Sequence, residues 1–187
     1  RQYNKNIASA TSTTEDTQET VLDVNSNDIT SFRYVYEGET YAFEKEDETW
    51  YYADDHSLNL NQDRIKAMIL KVAPLKADQV IENVTDMSQY GLADPERTIQ
   101  YETADRSVII NVGNLNSMTS QYYIAFPSEM KVYVVATNVV TGFNYTLDDL
   151  VEETTEATET AETETAETET TEAVETVETE TAATGEN

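Results

Sequence analysis

The chain contains no cysteine, and among its 187 residues only five are glycine, three proline and one histidine. Without thiols there is no disulfide, no cysteine-ligated zinc and no cysteine nucleophile, so the fold rests on packing. One histidine excludes metal sites that require two imidazoles. Five scattered glycines provide no glycine-rich loop ahead of a helix to cradle phosphate. Positive charge is scarce too: 11 Lys and Arg stand against 37 Asp and Glu, a net charge of -26. Nucleic acid and anionic membrane surfaces, which both call for clustered basic side chains, are poor partners for such a chain. No apolar run approaches the ~20 residues that span a bilayer.

What is plentiful is acid, threonine and tyrosine. Residues 152–187 are almost entirely Thr, Glu and Ala, with 13 Glu, no Lys, Arg or Asp, and Ala-Glu-Thr-Glu-Thr back to back at 161–165 and 166–170. Half the net charge therefore lies there. Val174 and Val177 are its only large apolar side chains, so burial cannot offset the entropy of ordering it, and closely spaced Glu repel one another in a helix. A disordered low-complexity tail over 151–187 is expected. Residues 1–28 are also rich in Ser, Thr and acid and read as a flexible linker. Because the sequence opens on Arg1 with Lys5 nearby, this stretch suits the remnant of a removed signal or membrane anchor. Residues 29–150 remain for a single domain of ordinary size.

Within that domain the aromatics alternate. Phe32, Tyr34 and Tyr36, then Tyr41 and Phe43, then Trp50 and Tyr52 predict three strands, with Glu37-Gly38 as a two-residue turn. Asn61 as N-cap, Leu60 and Ile65 as a hydrophobic staple, and Ile65, Met68, Ile69 and Val72 on one stripe predict a helix over 62–73, stopped by Pro74. A second run of strands follows at Ile99/Tyr101, Val108/Ile110/Val112, Tyr122/Ile124/Phe126 and Val132/Val134. Thr146-Leu-Asp-Asp-Leu150 then reads as a capped helix start. The expectation is an α+β fold of two antiparallel β-meanders, each followed by a helix, between disordered polar termini.

Candidate chemistry is thin. His56 lies among acids in Asp54-Asp-His-Ser57, yet lacks a second histidine or a serine elbow and reads as part of a polar loop. Asp23-Val-Asn-Ser-Asn-Asp28 begins like a calcium loop, but Asp28 stands where Gly must turn and Tyr34 where a bidentate Glu belongs. No catalytic, cofactor or metal residue is assigned. Most of the aromatics belong to a core; the odd-register Tyr51 and Tyr123 are the ones expected to face outward. Tyr90 and Asp94 of Tyr90-Gly-Leu-Ala-Asp-Pro95 are further candidates for contact with a partner. A structural reading of that hexapeptide is stronger: Gly91 supplies a special backbone angle, Leu92 plugs the core, and Asp94-Pro95 sets an extended exit.

That hexapeptide belongs to an ordered series. Asp28-Ile-Thr-Ser-Phe, Tyr41-Ala-Phe-Glu-Lys, Thr49-Trp-Tyr-Tyr, Leu60-Asn-Gln-Asp, Val80-Ile-Glu, Tyr90-Gly-Leu-Ala-Asp-Pro and Ile110-Asn-Val-Gly together resemble the bacterial family called domain of unknown function 4340. The resemblance spans about 28–150 and leaves the Thr/Glu tail outside. It implies a protein tethered outside the cytoplasmic membrane, some relatives being linked to an ABC-type transport system, and it carries no catalytic residues. The functional expectation is a non-enzymatic module of the cell envelope, extracytoplasmic and membrane-anchored or surface-displayed, that binds an envelope protein. The alternatives are a carbohydrate-binding module using exposed aromatics and a hydrolase built on carboxylates alone.

Overall fold

The computed structural model describes residues 18–153. The expected disorder of the tail, and most of the linker, lie outside the described residues.

Strands β1 (Glu19–Leu22), β2 (Ile29–Tyr36), β3 (Glu39–Glu46) and β4 (Thr49–Tyr52) lead into helix α1 (Gln62–Ile69). Short strands β5 (Leu75–Ala77) and β6 (Gln79–Ile81) follow, then β7 (Arg97–Thr103), β8 (Ser107–Asn116), β9 (Gln121–Ala125) and β10 (Val132–Ala136). Two short helices, α2 (Thr137–Thr141) and α3 (Leu147–Leu150), complete the described chain. The fold is α+β and predominantly antiparallel sheet.

The two strand runs are not separate layers. β2 pairs with both β3 and β7, so they fuse into one eight-stranded sheet ordered β4-β3-β2-β7-β8-β9-β10-β6. β1 and β5 form a second, two-stranded sheet. β1 lies inside the segment expected to be linker. Val21, Leu22 and Val24 are why: Val24 is buried and the other two pack against the core, enough apolar area to hold a short strand.

The turns follow from backbone sterics. Glu37 and Gly38 both have positive φ, 51° and 81°, as a tight two-residue hairpin requires. Asp47 and Glu48 make the same kind of turn between β3 and β4 without a glycine, at φ 45° and 67°.

The inner face of the sheet carries the aromatic array. Phe32 stacks on Phe43 at 4.9 Å and meets Trp50 edge-on at 5.2 Å, while Phe143 stands edge-on to Tyr34 at 5.5 Å. Ile65, Met68, Ile69 and Val72 cover these rings, so the predicted stripe is the buried one. The Asn61 side chain accepts from Arg64 N at 2.8 Å, and Leu60 and Ile65 are both buried. The helix ends at Ile69, earlier than expected, and continues as a tighter turn to Ala73. Thr146 caps α3 as anticipated: its N–H and Oγ1 donate to Asp149 Oδ2 at 2.9 and 3.0 Å.

Two polar ties close the inner layer. The Gln62 amide donates to Trp50 O and accepts from Trp50 N (2.9 and 2.8 Å), occupying ladder groups that the edge strand β4 would leave open. Arg97, half-buried, gives its Nε to Val35 O and Nη2 to Phe143 O and Asn144 Oδ1 at 3.1, 3.2 and 2.6 Å. It thereby serves carbonyls left free just past the end of α2 and binds that turn to the sheet. Desolvation lowers its pKa, with nearby tyrosines Tyr122, Tyr36 and Tyr34 pulling the other way.

Candidate functional site

Strand alternation places every second residue on the outer face, opposite the core. That face has two ends with different fates.

At one end it is covered. The connection from β6, at the sheet edge, to β7, in the middle, must pass β10, β9 and β8. It passes over their outer side. Val84 and Leu92 pack there on Ala125 and Val132, with Ile81, Met87, Tyr90 and Tyr123 around them, as a small second core. Tyr90 and Tyr123 meet edge-on at 5.0 Å, and Asn116 Nδ2 donates to Tyr123 Oη at 3.1 Å. The crossing uses two of the five glycines. Gly91 turns the chain at φ 72°, and a Cβ on Gly113 of β8 would collide with the Tyr90 carbonyl oxygen passing above it. Asp86 folds the approach by accepting Ser88 N at 3.0 Å and the Ser88 hydroxyl, which hold its carboxyl below the usual carboxylate range.

In the hexapeptide Tyr90–Pro95, Gly91 adopts the expected left-handed angle, whereas Ala93 and Asp94, with Glu96 just beyond, form bends in place of the expected extended exit. Leu92 plugs this outer core and not the main one. Tyr90 and Tyr123 are brought together and half-buried under the crossing, whereas Asp94 is exposed beside it. Tyr51 lies apart from all three.

At the other end none of the described residues covers the outer face. Arg33, Ala42 and Gln100 share a register row, as do Ser31, Glu44, Tyr51 and Glu102. Arg33 Nε and Nη2 both donate to Gln100 Oε1, at 3.0 and 2.7 Å, which fixes a planar, charged group against the strands. A shallow groove of about 230 Å³ runs between these rows, floored by Ala42 and Ala53 and rimmed by Arg33, Glu44, Gln100 and Glu102.

His56 closes one side of the open end. Its imidazole stacks on Tyr51 (5.0 Å between centroids, 18° between planes), and Nε2 lies 2.6 Å from Glu44 Oε1. The turn that carries it is tied by Asp55, whose Oδ1 accepts Ser57 N at 3.0 Å and Ser57 Oγ at 2.6 Å. These two bonds lower the Asp55 pKa, the hydroxyl bond more than the backbone one. Glu46 points to the same side, and one ligand atom each from Glu44, Glu46 and His56 lies within 4.8 Å of the others.

Arg97 and the grouping of Glu44 and Glu46 with His56 were missed in the sequence. Nothing in Pro95-Glu-Arg97 marks an arginine that ties a helix end to a sheet. The grouping had a usable signal: once Asp47-Glu48 is taken as the turn, the hairpin register sets Glu44 opposite Tyr51, three residues before the loop that holds the histidine. The calcium-like run does something simpler. Asn25 Oδ1 accepts Asn27 N at 3.0 Å and caps the one-turn 3-10 helix Ser26–Asp28.

Comparison with protein families returns a match to "Domain of unknown function (DUF4340)" over residues 50–187. The matched span begins at Trp50, inside β4, and runs through the Thr/Glu tail, whereas the motifs quoted above start at Asp28 and stop before it. Comparisons with curated proteins and with solved structures return no match. With roughly three quarters of its length matched, the chain belongs to the family described as Domain of unknown function (DUF4340).

Proposed function

We propose that this chain is a non-enzymatic, extracytoplasmic module that binds an envelope protein, such as a component of an ABC-type transport system, through the open end of its outer sheet face. One observation carries the reading. A single face of one sheet is sealed by its own chain at one end and, among the described residues, left bare at the other, and the bare end presents the charged and hydrogen-bonding groups Arg33, Gln100, Glu44 and Glu102 around a shallow groove. Shallow, polar, rigidly based surfaces suit a protein partner; a small metabolite favours a deeper, apolar pocket.

Further observations support it. A sugar platform needs free aromatic faces, while Tyr51 already stacks on His56 and Tyr123 is met by Tyr90.

The test is capture from a bacterial envelope extract by the whole chain, run beside a glycan array. The reading expects one protein retained by the parent, lost with Arg33→Glu and kept with Asp94→Lys. Glycans bound with no protein retained would replace it with the carbohydrate reading.

A further inference from the structure

We propose that Glu44, Glu46 and His56 form a binding site for a late first-row divalent cation of the Zn2+ class, on the outer face of the β3–β4 hairpin. The inference goes beyond the docking role and does not depend on it.

The placement is built by the hairpin. Glu44 and Glu46 are two apart on β3 and so project to one side, about 7 Å apart along the strand. Register puts Tyr51 directly across from Glu44. The Tyr51 ring then carries the imidazole in a stack that leaves Nε2 directed at the carboxylates, 2.6 Å from Glu44 Oε1. Asp55, through its two bonds to Ser57, holds the turn that delivers the histidine. The three donor atoms already lie within 4.8 Å of one another. Shared ligation at Zn–N and Zn–O bonds of about 2.0–2.2 Å asks for only small rotations of half-exposed side chains.

The donor set selects the ion. One imidazole nitrogen and two carboxylate oxygens match the mixed nitrogen–oxygen sets that Zn2+ accepts, whereas Ca2+ and Mg2+ prefer oxygen alone. Metal binding at Nε2 displaces the Nε2–Glu44 contact and uses the imidazole tautomer that carries its N–H on Nδ1. Lys45, between the two glutamates, does not compete: its side chain turns to the other side, where Nζ donates to Asn27 O at 2.6 Å and lies over the Trp50 ring. Arg33 is held by Gln100. Three protein ligands leave a fourth position for water or a further donor.

The experiment exploits His56 being the sole histidine. The whole chain, 15N-labelled, is titrated with Zn2+ while its one imidazole is followed by NMR, and Mg2+ and Ca2+ are run in parallel. The proposal expects saturable one-to-one binding that shifts the Nε2 resonance, no such shift with Mg2+ or Ca2+, and at least a tenfold loss of Zn2+ affinity in each of His56→Gln, Glu44→Gln and Glu46→Gln. All three side chains are at least partly exposed, so the metal-free variants should melt with the parent. An unmoved His56 signal at saturating Zn2+ would overturn the proposal. So would full-affinity binding by His56→Gln, which would put the ion on the glutamates of the tail.

Discussion

The two ends of the outer sheet face obey the same strand alternation and differ only in what lies over them. Where the β6–β7 connection crosses, the outward positions are Gly113, Ala125, Tyr123 and Val132, small or apolar, and β10 is buried on both faces. Where none of the described residues crosses, the outward positions include Arg33, Glu44, Gln100 and Glu102, beside Ser31, Ala42 and Tyr51. Covering a face therefore changes the residues it can hold, since a charged group under the crossing would be desolvated without a partner.

The largest break in this contrast comes at the covered end. Leu92→Ala removes the central plug of the small core and should cost about 2–5 kcal/mol, read from urea unfolding. Gly113→Ala should cost about 1–3 kcal/mol in the same assay, because the new methyl meets the Tyr90 carbonyl and the crossing must lift. If either variant unfolds like the parent, the crossing is not a structural cover.

The pH dependence sharpens the contrast between face and interior. Burial pushes the Tyr101 and Tyr133 pKa values up from 10 to about 12, with the Glu129 hydrogen bond at 2.9 Å adding to the effect at Tyr133. The folded state thus holds the phenol protons more tightly than the unfolded chain does. This contribution is complete below pH 10 and disappears as pH rises through the window from 10 to about 12. Tyrosine absorbance at 295 nm and circular dichroism should therefore change together in an alkaline titration. At the acid end, Asp55, Asp86 and Asp149 are lowered below 3.8. Their contribution is present above that value and declines as pH falls through their folded pKa values, a modest effect for exposed groups.

The smallest stability effect belongs to the bare end. Arg33→Ala and Gln100→Ala should each fall within about 0.5 kcal/mol of the parent, since solvent can replace what they lose. Loss of partner capture without loss of stability would mark that end as a surface kept for function.

Much of the interior was legible. The staple and cap around Asn61, the stripe from Ile65 to Val72 and the inward aromatics depend on local spacing, and local spacing is what a sequence displays. The fusion of the strand runs through β2 and β7 was not, because pairing between Phe32 and Tyr101 spans a separation that no periodicity encodes. β1 was hidden by its brevity among polar residues. The crossing was half visible: Gly91 and Leu92 announced a packed turn, but which face it would pack on depended on where β6 joined the sheet. The open end was least legible. Arg33, Gln100 and Glu44 are ordinary outward residues until the strands are laid side by side, and Tyr51 and His56 meet only through a turn set by Asp55.

The most direct test of the contrast places a photoactivatable cross-linker at Gln100 in one sample and at Asp94 in another, each in the whole chain mixed with a bacterial envelope extract. The account predicts a discrete partner cross-link from Gln100, on the bare end, and none from Asp94, beside the crossing. A partner trapped from Asp94 and not from Gln100 would contradict it, and would make the Tyr90–Pro95 segment the recognition loop.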